Sequence, residues 1–477
     1  MIGENSDQEP LLTHETTDSK GNSVEKSLDE CLKDVKVSWF QYRLLLLCGL
    51  MFTADSMEVM LLSFLSICAG ADFDLSHAEV ASISSAVFAG ELLGSTVWGP
   101  VADMYGRRTA FVAASLTMTV GGLLSGVAPD FASLLAFRGI CGFGVGGVTV
   151  PFDLMAEFLP ASERGHFLMM IEYFWTAGSV FVVCMAWAVL RVYSWRVLAV
   201  TTCIPVGLAC LLGYLYLPES ARWLLQQRRV EEAEEVVASA ARMNGVELGA
   251  FTLALPPTTN SGGRANEAAG MYATFAALFG ADMVGVTIPL VVVYLTYAFL
   301  YNGIIFFVSR LYNAQDDSGA YVCAFNYPPI MANSASEVVG ITLTLLFINH
   351  IGRIPVQWGS YFVGGVSVLL LGFMSGGQSG ALLVMVCGFV ARSAAMTATC
   401  ATWISTPELY PTHLRASAHA YCHMLSRLSA FAAPYVVFSE LSDSAVGIVL
   451  CVANVLAAVA SAFLPETARR SMDDLDA

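Results

Sequence analysis

Apolar runs of about twenty residues recur along the chain, separated by short polar turns. A helix needs about twenty apolar residues to cross hydrocarbon, because each residue rises about 1.5 Å and lipid offers no partner to a free backbone amide. Twelve segments meet that length, near 41–68, 79–101, 109–128, 132–157, 166–190, 195–217, 285–310, 329–350, 355–375, 380–405, 414–438 and 444–464. The pattern therefore predicts an all-α membrane protein of twelve transmembrane helices. The longest connection, 218–284, falls between the sixth and seventh spans and divides the chain into two six-helix bundles, 39–217 and 285–465. Within it, Val230 to Met243 reads as a surface helix, with Glu231, Glu232, Glu234 and Glu235 early and Arg242 late, as a helix dipole favours.

Charge then fixes the orientation. Arg107, Arg108, Arg164, Arg222, Arg228, Arg229, Arg242, Arg264, Arg353, Arg415, Arg469 and Arg470 fall on one side of the predicted bundle, with every Lys of the amino-terminal tail. Arg191, Arg196 and Arg310 fall on the other, so both termini are expected in the cytoplasm. Residues 1–38 and 466–477 read as cytoplasmic tails, the first disordered because it is polar and lacks the apolar stretch of a secretory signal. Asp7-Gln8-Glu9-Pro10-Leu11-Leu12 has the form of an acidic dileucine signal for a sorting adaptor, which suits an endolysosomal or vesicle membrane as well as a plasma membrane.

Composition agrees, with 56% hydrophobic and 13% charged residues, far more apolar than a soluble domain of this size. A net charge of −16 leaves no basic face for nucleic acid. The twelve cysteines, Cys68 among them, are scattered singly in a spacing that suits neither zinc nor a disulfide framework, and they are expected to pack as small thiols. No segment pairs a nucleophile, metal or phosphate motif with a soluble domain, so neither an enzyme nor a cofactor is implied.

The halves repeat a turn. Gly99-Pro-Val-Ala-Asp103-Met-Tyr-Gly106-Arg107-Arg108 follows the second span, and Asn349-His-Ile-Gly352-Arg353 follows the eighth. Small residues let the chain turn, and an arginine at the membrane edge can meet carboxylates in one conformational state as a gating latch. Gly139, Gly142, Gly144, Gly146 and Gly147 crowd the fourth span and allow close helix contact.

These turns resemble those of the major facilitator superfamily. Glu157-Phe-Leu-Pro160-Ala-Ser-Glu163-Arg164-Gly165, Pro218-Glu219-Ser220-Ala-Arg222-Trp223, Pro407-Glu408-Leu-Tyr410-Pro411-Thr412-His-Leu-Arg415 and Leu464-Pro465-Glu466-Thr467 resemble the cytoplasmic signatures of sugar porters and organic ion transporters. Ala54-Asp55-Ser-Met-Glu58, Ile171-Glu172-Tyr-Phe-Trp175-Thr-Ala-Gly178 and Ser336-Glu337-Val-Val-Gly340 resemble the synaptic-vesicle-2-related branch, itself similar to bacterial nicotinate carriers. The resemblance implies two bundles rocking about a central solute site. Asn349 departs from the usual aspartate of the second turn, and Tyr297-Ala-Phe-Leu-Tyr301-Asn302-Gly303 lacks the glutamine-rich seventh-helix signature of sugar porters, which lowers the expectation of a hexose.

A charge at the bilayer centre costs about 3 kcal/mol on insertion scales, so each buried acid or base needs a partner or a function. Asp55 and Glu58 share one face of the first span, Glu91 lies in the second, Arg138 in the fourth, Glu172 in the fifth and Glu337 in the eighth. Arg392 and Arg427 lie near the middles of the tenth and eleventh. Proton-coupled sugar porters pair a first-helix aspartate with a fourth-helix arginine, so the resemblance implies Asp55 and Arg138 as the proton-coupling pair, a static ion pair being the alternative. Arg392 and Arg427 suit a carboxylate or zwitterionic solute, or else pair with Glu337. Glu58, Glu91, Trp175, Tyr297, Tyr301, Asn302 and Glu337 complete the expected solute lining, with Tyr173, Phe174 and Trp403 as further aromatic candidates. His419 and His423, one turn apart, read as interior histidines rather than metal ligands. The function expected is a proton-coupled secondary transporter of a small organic solute. The competing readings are a transporter-shaped receptor or scaffold that moves nothing, and a proton-independent uniporter for a sugar or organic cation.

Overall fold

A computed structural model describes residues 24–255, 276–281, 283–315, 321–375 and 380–468. Eleven of the described helices are long and apolar enough to cross a membrane. In order they are Trp39–Asp72, His77–Tyr105, Arg107–Gly126, Phe131–Glu157, Gly165–Val189, Trp195–Tyr216, Val284–Leu311, Tyr327–Ile351, Arg353–Met374, Ala381–Glu408 and Asp443–Ala462. Thr412–Val437, 26 residues long, lies between the last two and is made more polar by Arg415, His419, His423 and Arg427. It completes the twelve, numbered below as spans one to twelve. The predicted spans fall on these helices, and Val230–Met243 forms the linker helix at the expected bounds.

The fourth span is interrupted. Its helix runs Phe131–Val145, turns through Gly146 to Val148 and resumes as Thr149–Glu157. Here the glycines allow helix axes to touch: a Cβ on Gly142 would collide with the Val87 carbonyl of the second span, and one on Gly144 with the Met118 backbone of the third.

The amino-terminal segment departs from the expected disorder. Val24–Lys26 (β1) pairs in parallel with Phe251–Leu253 (β2) of the linker. Leu28–Val35 (α1) starts with a capping box between Ser27 and Glu30 and buries Cys31, Leu32 and Val35, beside the Ala233, Val237, Ala240 and Ala241 face of the linker helix. Its apolar spacing outweighs its polar composition, because the linker supplies the other half of a small core. Asn244 accepts from the Phe40 amide at 2.9 Å and donates to the Lys36 carbonyl at 2.9 Å, fastening the first span to this cap. The dileucine segment, Arg264, Arg469 and Arg470 lie outside the described residues, as does the Arg164 side chain.

At the opposite face, Asn313–Gln315 (β3) and Tyr321–Phe325 (β4) form an antiparallel hairpin between spans seven and eight. The expectation that no cysteine pairs is overturned there: Cys68, at the end of span one, is disulfide-bonded to Cys323 on β4. The partners are 255 residues apart in sequence, so their meeting is a product of the fold and invisible to local spacing.

The cytoplasmic turns repeat in three dimensions. Gly106 and Gly352 have φ of 99° and 114°, a region that favours glycine. Glu219 accepts from the amides of Arg107 (2.7 Å) and Arg108 (3.2 Å), and Glu466 accepts from those of Arg353 (2.9 Å) and Ile354 (3.0 Å). Each carboxylate thus satisfies free amides at a helix start and complements its dipole. Gly99, by contrast, lies inside span two and turns nothing. An added Cβ at Gly106 or Gly352 would meet the capping carboxylate. Gly106→Ala and Gly352→Ala are each expected to lose about 1–3 kcal/mol of stability, read as a lowered melting temperature in detergent, while Gly99→Ala leaves it unchanged.

Candidate functional site

Three buried ion pairs organise the middle of the membrane. Arg138 Nη1 of span four lies 2.6 Å from Glu58 Oε1 of span one, and its Nε donates to Ser125 Oγ at 2.8 Å. Sequence reasoning assigned Arg138 to Asp55, one helical turn earlier. The structure instead gives it Glu58, and Asp55, 2% exposed, is left with Oδ1 unpartnered.

Glu91 Oε1 of span two lies 2.5 Å from Arg427 Nη1 of span eleven. This pair crosses from one six-helix half to the other. It stands near Asp55, so three acids (Asp55, Glu58, Glu91) share two guanidinium groups (Arg138, Arg427).

The third pair lies in the carboxy-terminal half, where Arg392 Nε donates to Glu337 Oε1 at 3.0 Å and both side chains are fully buried. The same oxygen accepts from the Tyr301 hydroxyl, which in turn accepts from Trp175 Nε1 at 2.5 Å. A polar chain thus runs from span five, through span seven, to spans eight and ten. Arg392 Nη2 and Glu337 Oε2 have no hydrogen-bond partner, and Arg392 Nη1 rests 3.9 Å from Met60 Sδ of span one. Met60 was not foreseen, since a methionine in an apolar helix carries no signal of its own.

Other expected residues lie outside the hydrogen bonds of these pairs, although Tyr297 and His423 stand close to Arg427. Asn302 donates to the Ala298 carbonyl of its own helix at 2.8 Å. Tyr297 packs edge-on against Tyr294, with ring centroids 5.1 Å apart. His423 packs edge-on against Trp403 (4.5 Å) and lies 4.4 Å from His419. Among the described residues no group of three or more metal-binding side chains forms.

The cytoplasmic arginines close within their own halves. Arg107 meets Asp103 (2.5 Å) and Glu157 (3.4 Å), and Arg353 meets Glu408 (3.1 Å) and Asn349 Oδ1 (3.1 Å). Arg108 donates to the Tyr214 carbonyl, Arg222 pairs with Asp29 and Arg415 donates to the Pro407 carbonyl. Asn349 retains its contact with the arginine but brings no charge to it.

The halves touch across the outer side. Ser309 Oγ donates to Ser63 Oγ at 3.0 Å, Phe64 packs against Phe325 at 4.9 Å, and Trp187 stacks on Tyr327 at 6.1 Å.

Residues 17–477 match the family model described as sugar (and other) transporter. The chain belongs to that family. It is 30% identical to Synaptic vesicle 2-related protein of Xenopus laevis over 94% of this chain and 82% of the relative. It is 27% identical to the Niacin transporter NiaP of Acinetobacter baylyi, over 85% of this chain and 88% of that one. The xylose transporter XylE from E. coli, in an inward open conformation, superposes with a TM-score of 0.72, covering 91% of this chain and 99% of its own at 17% identity. The protein is therefore a multi-pass transporter of the major facilitator fold, with two six-helix bundles and both termini cytoplasmic. It is not an enzyme, and a receptor or scaffold that moves nothing gives way to a transporter.

Because Arg138 is neutralised by Glu58, Glu58→Gln leaves a buried cation without its counter-ion and is expected to destabilise the transporter by about 3–5 kcal/mol. Asp55→Asn is expected to change stability by less than about 1 kcal/mol. Thermal unfolding of both variants in one detergent checks the contrast.

Proposed function

We propose that this transporter couples movement of a small organic anion or zwitterion to protons by alternating access. The observation that carries this reading is the Arg392–Glu337 pair, buried at midspan with one guanidinium nitrogen and one carboxylate oxygen free. A solute carboxylate meeting Arg392 Nη2 gains a charge-assisted bond in a low-dielectric site, while a solute ammonium or ring N–H finds Glu337 Oε2. Trp175 and Tyr301 offer aromatic faces beside the pair, which suits a flat solute. Because Trp175 belongs to one half and Tyr301 to the other, the link between them must break when the halves separate. The name of the niacin-carrying relative, whose solute is a flat ring with a carboxylate, supports this class of solute.

Asp55 is the proton carrier in this reading. With Arg138 held by Glu58 and Arg427 by Glu91, an ionised Asp55 would stand as an unbalanced charge, so here it carries the proton. Outward opening separates spans two and eleven, frees Arg427 from Glu91 and redistributes the charges seen by Asp55. The Glu58–Arg138 pair stays closed, because both partners lie in one rigid half.

Proteoliposomes loaded at one pH and assayed with labelled nicotinate, related ring carboxylates and cationic controls test the proposal. Arg392→Gln is expected to lower carboxylate uptake by at least about tenfold, the loss of one charge-assisted bond. Asp55→Asn is expected to abolish proton-driven accumulation while retaining exchange of solute for solute. Unchanged carboxylate uptake in Arg392→Gln, or accumulation that persists in Asp55→Asn, contradicts the reading.

A further inference from the structure

The outer mouth is closed by weak contacts and one covalent bond. The Ser63–Ser309 hydrogen bond and the Phe64, Phe325, Tyr327 and Trp187 ring contacts are of the kind that form and break as two halves rock. The Cys68–Cys323 bond is not. Cys68 belongs to span one of the amino-terminal half. Cys323 lies on β4, four residues before span eight begins at Tyr327. The hairpin that bears Cys323 is itself held to span seven: Asn326 donates its amide to the Tyr312 carbonyl at 2.8 Å, and Asn313 Nδ2 donates to the Val322 and Ala324 carbonyls at 2.6 and 3.0 Å. The bond therefore ties one half to the other at the point that must part for the site to face outward.

We propose that the Cys68–Cys323 disulfide is a redox lock on the outer mouth. Oxidised, it holds the outer mouth closed. A dithiol reductant acting from the outer side delivers two electrons and two protons, leaves Cys68 and Cys323 as thiols and itself becomes a disulfide, and the mouth can then open. Cys323 is half-buried beside exposed Val322 and Ala324, so attack through a mixed disulfide at its sulfur is open to solvent, whereas Cys68 is fully buried. Other described cysteines are free thiols, so reductant acts on this bond alone among the described residues. The inference rests on the alternating-access reading above.

Hydrogen exchange with mass spectrometry on the full chain in nanodiscs tests it. Peptides covering 60–68, 305–312 and 327–333 are followed in the oxidised protein, after dithiothreitol, and in Cys68→Ser and Cys323→Ser. The lock requires about tenfold faster exchange at these outer peptides on reduction, the same rate in both variants without reductant, and no further response of the variants to dithiothreitol. Fast outer exchange already present in the oxidised protein overturns the lock and leaves alternating access standing. Slow outer exchange in every form overturns both. Peptide mapping that recovers Cys68 and Cys323 as free thiols after expression in an oxidising compartment also overturns the lock. Dithiothreitol on the unmodified chain keeps the test open even should a serine variant fold poorly.

Discussion

A charge held in hydrocarbon must find its counter-charge inside the protein, and that constraint orders the middle of this transporter. Three arginines sit at midspan, each against a glutamate: Arg138 with Glu58, Arg392 with Glu337 and Arg427 with Glu91. Two of the pairs close within one half and behave as parts of a rigid body. The third bridges the halves, so its formation is tied to their relative position. Among the described residues Asp55 and Glu172 are buried acids of the spans without an ion pair, and the proposed coupling assigns the proton to Asp55, which stands beside the bridging pair.

The same division between rigid and switching contacts holds at the membrane faces. On the cytoplasmic side, the Arg107 and Arg353 clusters serve their own bundles, capped by Glu219 and Glu466 in matching geometry. On the outer side the contacts run between bundles, as hydrogen bond, ring contacts and disulfide. The halves meet on the inner side as well, where Phe152 of span four packs edge-on against Trp403 of span ten at 5.9 Å and Tyr173 of span five lies 3.1 Å from Thr342 of span eight.

Much of this was legible in the chain itself. Apolar length located the spans, because lipid tolerates no other solution, and the early acids and late arginine of Val230–Met243 located the linker helix. The buried ionisable groups were equally plain, since few residues so costly persist in apolar helices. Their partners were not. Asp55 and Glu58 differ by about 4.5 Å along one helix face, and which of them reaches Arg138 depends on how spans one and four are rotated and staggered, which no local pattern records. The disulfide escaped for a related reason, its cysteines being neighbours only once both halves are assembled. The order of Leu28–Val35 was hidden because its partner face lies in the linker, some two hundred residues away.

The account stands on Asp55, rather than Glu58, being the carboxyl that exchanges its proton. Infrared difference spectra between acid and alkaline buffer record the carbonyl stretch of a carboxyl group that titrates in a dry environment. The account predicts such a band in the unmodified transporter that disappears in Asp55→Asn and survives in Glu58→Gln. A band untouched by Asp55→Asn and lost in Glu58→Gln would contradict it.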